Sequence, residues 1–188
     1  MVEAALGFRA HSGWAAMAAV AGSLEAPLVI LRRRVELADR RVSGSVQPYH
    51  AAKEMHPNDA EAFINSCARD AKAKAEAALR KVIFELDGKG AHLVGACVLS
   101  GSGRLPADLA AALASHPMIH TAEGEFFRDA LRKACESCSL PVSRIREKEL
   151  LPLEPRVSGL GKTLGPPWRK DEKLCAIAGW MVLTRAAP

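Results

Sequence analysis

The sequence predicts an α/β domain built on a mixed five-stranded sheet. Before residue 38, three segments alternate apolar and polar residues with a period of two, which is typical of an antiparallel meander. After residue 58, long helical stripes alternate with short apolar runs, which is typical of strands joined by helical crossovers. The chain has 188 residues, 49% of them hydrophobic, so it can bury one core, and a single domain over residues 1–188 is expected.

The first three strands are predicted on either side of short turns. Apolar and small or polar residues alternate from Leu6 to His11, and Ser12-Gly13 turns the chain into an apolar run. That run, Trp14 to Ala21, is interpreted as a strand rather than a signal sequence. The third strand covers Leu28 to Leu37, with one predicted face formed by Val29, Leu31, Arg33, Val35 and Leu37.

The strongest helical pattern follows a crossing segment at 40–57 that Pro and Gly interrupt. Asn58 and Glu61 have the spacing of a capping box, and Gly88 suits the left-handed position after a helix, so a helix over 58–87 is expected. The almost continuous apolar run from His92 to Leu99 predicts a strand covered on both faces and therefore internal to the sheet.

The rest of the chain predicts three more helices and one strand. A helix should carry Pro106 in its first turn, because proline lacks only an N–H that would be unpaired there. Pro117 disfavours a helix through His116 and His120, so the next helix is expected from about Ala122 to Cys138. A short strand over 141–145, a surface segment over 151–167 and a last helix over 169–185 follow.

The segment Gly7 to Ala15, read Gly-Phe-Arg-Ala-His-Ser-Gly-Trp-Ala, is a strand and a glycine turn that lead into a second strand. It resembles the start of Holliday-junction-resolvase-like members of the ribonuclease-H-like superfamily. The order of the predicted elements resembles that fold over nearly the whole chain. The resemblance implies a ribonuclease-H-like fold, and in active nucleases of the superfamily it implies metal-binding carboxylates on the first strand, on or after the fourth strand, and in the last helix.

This chain departs from that acidic pattern at two of the three places. The first strand offers Arg9 and His11, and the fourth strand with its exit loop offers Cys97, Ser100 and Ser102. The last predicted helix has acids at the matching place, Asp171 and Glu172. Because Mg²⁺ requires oxygen ligands, the sequence predicts neither a metal site nor a cofactor.

The leading functional hypothesis is therefore a degenerate, non-catalytic ribonuclease-H-like domain that binds or scaffolds an anionic partner, with nucleic acid among the candidates. The alternative is a hydrolase or nuclease-like enzyme whose catalytic His and carboxylate groups have moved. Its candidate catalytic residues are His120, Glu123, Glu125, Asp171 and Glu172. For the acids near His120, the competing interpretation is a helix N-terminus enriched in acidic residues.

The loop after the fourth strand is the candidate anion-binding site. Small residues let backbone N–H groups approach a ligand, and a strand exit followed by a helix N-terminus is a common place for phosphates. The candidate residues are Ser100, Gly101, Ser102, Gly103 and Arg104. A plain glycine-rich turn is the competing interpretation of this segment.

Basic residues offer a second candidate surface. The net charge is 26 − 21 = +5, which favours acidic partners in general. The candidate nucleic-acid-binding residues are Arg32, Arg34, Arg40 and Arg41, and the competing interpretation is edge-strand charge that prevents aggregation. Only 5% of the residues are aromatic, which argues against a single-strand-binding surface of stacking rings.

Composition also bears on location and assembly. Five cysteines are an odd number, and several fall on apolar faces, which favours a reducing compartment. No apolar run approaches the ~18 residues of a membrane span, so a cytoplasmic protein without a membrane partner is expected. The sheet edge and the Ala-rich helix each offer a surface for a homodimer, and the sequence fixes no stoichiometry.

Overall fold

The computed structural model describes residues 1–23, 26–161 and 164–186. Five strands form one sheet in the order β3-β2-β1-β4-β5. Their bounds are β1 Val2–His11, β2 Trp14–Gly22, β3 Pro27–Glu36, β4 Ala91–Ser100 and β5 Val142–Arg146. β1, β2 and β3 pair antiparallel, whereas β4 runs parallel to β1 and β5 runs parallel to β4. The prediction of a mixed five-stranded sheet with an internal fourth strand is confirmed.

Helices cover both faces of this sheet. They are α1 Pro48–Ala52, α2 Pro57–Gly88, α3 Leu109–Leu113, α4 His116–Ser137, α5 Glu147–Leu150, α6 Glu154–Val157 and α7 Lys170–Ala186, with a 3-10 turn at Leu151–Leu153. α2 and α4 pack on one face over the largest core cluster, which includes Leu6, Phe127 and Leu131. α7 packs on the other face, where its buried side chains divide into two smaller clusters. None of the helices in these ranges combines the length and apolarity that crossing a bilayer requires.

The contact between α7 and β1 depends on a glycine in the strand. A Cβ atom at Gly7 would lie 1.9 Å from the carbonyl oxygen of Cys175 and 2.9 Å from the backbone nitrogen of Gly179. The helix backbone therefore rests directly on the middle strand. This close approach fixes the start of α7, with Asp171, at the end of β1.

The predicted face of β3 is wrong at one residue, because a bulge interrupts its pairing with β2. Ala19 pairs with Leu31 while Val20 pairs with Val29, so Ile30 is the extra residue. Val29 consequently packs with the α7 cluster, whereas Leu31 and Val35 pack under α2 and α4. A bulge shifts the alternation by one residue, which a strict period of two cannot show.

Three helix boundaries also differ from the sequence predictions. α2 begins at Pro57 with His56 as its N-cap, so Asn58 lies inside the helix, and the left-handed residue after its end is Gly90, not Gly88. α3 begins at Leu109, where the Asp108 side chain accepts a hydrogen bond from the Ala111 N–H at 2.7 Å. An aspartate at the N-cap satisfies an unpaired helical N–H, which Pro106 cannot do.

The predicted break at Pro117 is wrong, and this correction matters for the candidate site. α4 begins at His116, with Pro117 in its first turn and Ser115 as the N-cap. Proline is tolerated there because the first-turn N–H groups have no intrahelical partners. His116 and His120 therefore lie one turn apart on the same helix.

Candidate functional site

The carboxyl ends of β1, β4 and β5 meet at one edge of the sheet, because these three strands are parallel. Open α/β sheets bind ligands at this kind of edge. Arg9 and His11 end β1, Ser100 ends β4, and β5 leads directly into Glu147 of α5. The start of α7 adds Asp171 to the same place.

Arg9 binds the two carboxylates at this edge. Its Nε and Nη2 donate to Oε2 of Glu147 at 3.0 and 2.9 Å, and its Nη1 donates to Oδ1 of Asp171. His11 Nε2 lies 3.0 Å from Oδ2 of Asp171, and Lys170 Nζ lies 2.7 Å from Oε1 of Glu147. We call Arg9, His11, Glu147, Lys170 and Asp171 the strand-end network. Two cations neutralise its two acids, so the acids have little negative charge left for a metal ion.

The pKa shifts in this network follow from burial and ion pairing. Burial opposes ionisation of Glu147, but hydrogen bonds from Lys170 and Arg9 outweigh it and lower its pKa. For His11, burial lowers the pKa, aided by the charges of Arg9 and Arg34 and opposed by Asp171. The environment therefore disfavours protonation of the imidazole.

Trp14 extends this edge toward β3. Its ring stacks on His11 with centroids 4.2 Å apart and an interplanar angle of 9°, and the Arg34 guanidinium carbon lies 3.8 Å from the ring centroid. Two groups at those distances cannot share one face of the ring, so Trp14 is sandwiched between them.

Beside the strand-end network, the exit of β4 and the first half of α4 form a cleft of about 330 Å³. Its lining includes Ser100, Gly101, Gly103, His120, Thr121, Gly124, Glu125, Arg128 and Arg144. We call it the β4–α4 cleft. Arg144 of β5 forms an ion pair with Glu125, and Arg128 Nη1 lies 3.7 Å from the other oxygen of that carboxylate. One acid thus serves two arginines.

Arg128 is the least compensated of these charges. Its side chain is only 22% exposed, and a Cβ atom at Gly101 or Gly124 would lie 3.1 Å from its Nη1, so both glycines make room for the guanidinium. Burial, together with the positive charge of Arg9, lowers the pKa of Arg128. An anion in the cleft would offset both effects.

Three histidines converge next to this cleft, where α1 packs against the start of α4. One ring nitrogen each from His50, His116 and His120 lies within 4.8 Å of the other two. The Nε2 atoms of His116 and His120 are 2.9 Å apart. The carboxylate of Glu123 accepts from the backbone N–H of Tyr49 at 3.1 Å and lies 3.1 Å from Nδ1 of His50. We call the three imidazoles the histidine cluster.

The structure separates the five candidate catalytic residues into different groups. His120 and Glu125 line the β4–α4 cleft, while Glu123 is buried behind the histidine cluster. Asp171 belongs to the strand-end network, and Glu172 accepts from the backbone N–H of Arg169 at 2.8 Å beside a separate cleft with Trp14 and Arg32. Asp171 thus contacts Arg9 and His11, and not His120, with which the sequence hypothesis had grouped it.

Only part of the candidate anion-binding loop, residues 100–104, lines the β4–α4 cleft. Ser100, Gly101 and Gly103 line the cleft, and Ser102 and Arg104 are exposed. The helix expected directly after Arg104 starts only at Leu109, so its N–H groups do not join the loop as the sequence predicted. The cations beside the loop are Arg128 and Arg144.

The candidate nucleic-acid-binding arginines have partners within the chain or project into solvent. Arg32 donates to the carbonyl oxygen of Pro166 at 2.6 Å, Arg34 pairs with Glu36 at 2.5 Å, and Arg41 pairs with Asp39 at 2.7 Å. Arg40 is exposed. Arg32 and Arg34 flank a shallow cleft of about 220 Å³ next to Trp14.

Sequence reasoning missed Arg128, Arg144, Glu147 and His50. Gly124 was the one available signal, because a glycine inside a helix costs about 1 kcal/mol relative to alanine and usually has a packing reason. His50 and Glu123 are 73 positions apart, so no local spacing could have joined them.

Comparison with known proteins identifies the fold of this chain but does not assign the chain to a family. No family model and no curated protein matches the chain. Thermus thermophilus RuvC, solved in complex with a Holliday junction substrate, is similar with a TM-score of 0.57 and 9% identity, covering 98% of this chain and 96% of that chain. A second structure of Thermus thermophilus RuvC has a TM-score of 0.56 and 11% identity, covering 97% and 95%. The chain therefore has the ribonuclease-H-like fold that its sequence predicted.

Proposed function

We propose that this chain binds a phosphate-bearing polyanion, with nucleic acid as the favoured one, at the β4–α4 cleft, and that it does so without a metal-dependent nuclease centre. The main support for the proposal is the environment of Arg128. A mostly buried guanidinium that shares a single carboxylate with Arg144 is a cation placed to receive an anion.

The shape of the cleft also supports phosphate binding. Gly101 and Gly124 make room for the Arg128 guanidinium, and all three residues line the cleft. Arginine presents several N–H donors in a planar fork, which matches the oxygens of a phosphate. Arg144 is 42% exposed, so it can turn from Glu125 toward a ligand.

The strand-end network supports a binding role over metal-dependent cleavage. Arg9 stands on the strand where active members of the fold have an acid, and its guanidinium holds both Glu147 and Asp171. A divalent cation there would meet a fixed positive charge and two carboxylates that are already bound. Lys170, whose side chain is 54% exposed, is the cation of the network that a polyanion can reach.

Arg34 and Arg9 are the charged groups in a chain of contacts along this edge, and an extended ligand can follow that chain. Arg34, His11 and Arg9 are linked through direct contacts with Trp14 and with one another, and Arg9 is close enough to Arg128 to influence its pKa. A nucleic acid backbone carries charges at regular intervals and would gain from several such contacts. Thermus thermophilus RuvC was solved with a Holliday junction substrate, which makes a four-way DNA junction the first probe.

The experiment is a titration of labelled four-way junction and duplex DNA, followed by fluorescence anisotropy at several salt concentrations. We expect binding at low salt that weakens as salt increases, because phosphate contacts release counterions. Arg144→Gln should weaken binding about tenfold and reduce the slope of log K against log salt by about 1. The matched control is Arg132→Gln. It also removes one positive charge, but from a residue of α4 that lies outside the cleft and pairs with Glu136.

Equal weakening by Arg144→Gln and Arg132→Gln would show that only the net charge matters. Absence of binding to any DNA at low salt would remove the nucleic acid from the proposal. A surface centred on Arg40 and Arg41 would instead show its largest loss in Arg41→Gln, so that variant belongs in the same series.

The second candidate function is phosphoester hydrolysis by relocated groups. His120 and Glu125 line the same cleft as the two arginines, which brings a base, an acid and an anion-binding pair together. Hydrolysis of a generic phosphodiester that is lost in His120→Asn, with DNA binding retained, would favour this candidate over binding alone.

A further inference from the structure

We propose that His50, His116 and His120 form a binding site for a single divalent transition-metal ion of the Zn²⁺ class. The site belongs to no residue pattern of the ribonuclease-H-like nucleases described above, and it lies apart from the strand-end network. It stands on its own geometry and does not depend on the binding of a polyanion.

The three imidazoles have the placement that a metal requires. One nitrogen from each lies within 4.8 Å of the others, and the His116 and His120 Nε2 atoms lie 2.9 Å apart. Ligands about 2.0–2.1 Å from a tetrahedral zinc are separated by about 3.3 Å. His116 and His120 are already near that separation, and the His50 nitrogen lies within 4.8 Å of both. Ring centroids of 4.3 Å for His116 and His120, and of 4.9 Å for His50 and His120, show the same convergence.

Glu123 provides the support that metal-binding histidines usually have. Its carboxylate lies 3.1 Å from Nδ1 of His50 and also accepts from the backbone N–H groups of Tyr49 and His50. Holding Nδ1 as a donor leaves Nε2 of His50 with its lone pair available to a metal. His116, His120 and Glu123 follow the i, i+4, i+7 spacing of one helical face, so α4 positions two ligands and the supporting acid together.

Glu123 is a buried carboxylate with one oxygen unpaired in the part of the chain that the structure describes, which is costly for a residue that only accepts structural hydrogen bonds. Its side chain is 5% exposed, and its Oε1 has no hydrogen-bond partner among the described residues. A cation bound to His50 would favour the ionised carboxylate and offset the cost of burying it.

The ligand set selects the class of metal. Neutral imidazoles suit Zn²⁺, Co²⁺ and Ni²⁺, whereas Mg²⁺ and Ca²⁺ require oxygen ligands. Three protein ligands leave one tetrahedral position for water or for an oxygen of another molecule. Because His120 also lines the β4–α4 cleft, the ion would lie at the wall of that cleft.

A hydrogen bond between two neutral imidazoles is the competing explanation of the cluster. It accounts for the pair His116 and His120, but it gives no reason for the third ring or for the carboxylate that orients it. The two explanations differ in a measurable way, since only a metal site takes up zinc with fixed stoichiometry.

The experiment uses the full chain after treatment with a chelator and dialysis. Calorimetric titration should show one Zn²⁺ per chain, no comparable heat with Mg²⁺, and a rise in Tm when Zn²⁺ is added. Co²⁺ should give the intense visible absorption of a four-coordinate site. His116→Ala and His120→Ala, both at exposed positions, should fold normally by circular dichroism and lose the site.

Two controls and one graded variant make the test specific. His92→Ala removes an exposed histidine elsewhere, and Cys138→Ser removes a partly exposed thiol, so both should bind Zn²⁺ like the unmodified protein. Glu123→Gln should weaken zinc binding about 10-fold to 100-fold while keeping the stoichiometry. A structural role alone would lower Tm without changing zinc affinity.

Failure to take up Zn²⁺ in the unmodified protein would overturn the proposal. So would zinc binding that His116→Ala and His120→Ala leave as tight as His92→Ala does. Because no nucleic acid is present in this titration, either result is independent of the outcome of the DNA experiments.

Discussion

At the scale of single residues, Arg9 determines the charge at the edge of the sheet where the carboxyl ends of β1, β4 and β5 meet. Its guanidinium occupies the end of β1 and holds Glu147 and Asp171 together, so two carboxylates that could have bound a cation act as ion-pair partners. The sequence showed that the expected acid was replaced by Arg9. It could not show that Glu147 would supply a second partner, because that residue follows a different strand.

The pairing of Glu147 predicts a specific pH dependence of stability. Because its folded pKa lies below the ordinary value of 4.5, the ionised group stabilises the fold above that value, and the contribution is lost as the pH falls through the folded pKa. Glu147→Gln should therefore reduce the free energy of unfolding by about 1 kcal/mol at neutral pH, allowing for solvent screening. The difference from the unmodified protein should narrow below pH 4.5.

Urea denaturation from pH 3 to pH 7 measures this difference. Glu149→Gln is the matched control, since Glu149 is an exposed acid on the same short helix. Its difference from the unmodified protein should be small at every pH. A Glu147→Gln difference that is constant over the whole range would contradict the ion-pair interpretation.

At the scale of the elements, the position of α7 depends on how closely its backbone approaches β1. Gly7 leaves no room for a side chain, and Cys175 is fully buried, donating its thiol hydrogen to the Ala16 carbonyl oxygen at 3.3 Å. This contact brings Asp171 within reach of Arg9. The site geometry is thus a consequence of helix packing.

Gly7→Ala should destabilise the protein by about 3 kcal/mol, because the added methyl group would overlap the Cys175 carbonyl and push α7 off the sheet. Gly88→Ala is the matched substitution, since nothing lies within 4 Å of a Cβ there. It should stabilise the protein by about 0.5 kcal/mol through improved helix propensity. Chemical denaturation measures the free energy of unfolding of both variants. Equal changes would show that the close approach of α7 to β1 at Gly7 does not limit stability.

The elements themselves were largely predictable, whereas their irregularities were not. Periodicity located all five strands and the long helices, since buried faces dominate those segments. It could not locate the bulge at Ile30 or decide whether Pro117 ends or begins a helix. That second uncertainty concealed the shared turn of His116 and His120, on which the histidine cluster depends.

At the scale of the whole molecule, the chain has a ribonuclease-H-like fold in which Arg9, near the end of β1, binds Glu147 and Asp171. The fold was predictable because element order survives large changes in sequence, and it is shared with Thermus thermophilus RuvC at 9% identity. The β4–α4 cleft was only partly predictable. Its loop, Ser100 to Gly103, was visible in the sequence, but Arg128 and Arg144 come from α4 and β5, and only the folded chain joins them.

We propose that this chain binds a polyanion and does not cut it by a Mg²⁺-dependent mechanism. The direct test is to incubate labelled four-way junction DNA with the protein at low salt and in excess Mg²⁺, where phosphate contacts are strongest and a Mg²⁺-dependent nuclease would be active. Each sample is then analysed in parallel on a native and a denaturing gel. We expect a retarded complex on the native gel and full-length strands on the denaturing gel, with Asp171→Asn giving the same result. Free DNA at every protein concentration would contradict binding, and Mg²⁺-dependent cleavage that Asp171→Asn abolishes would contradict the absence of a nuclease centre.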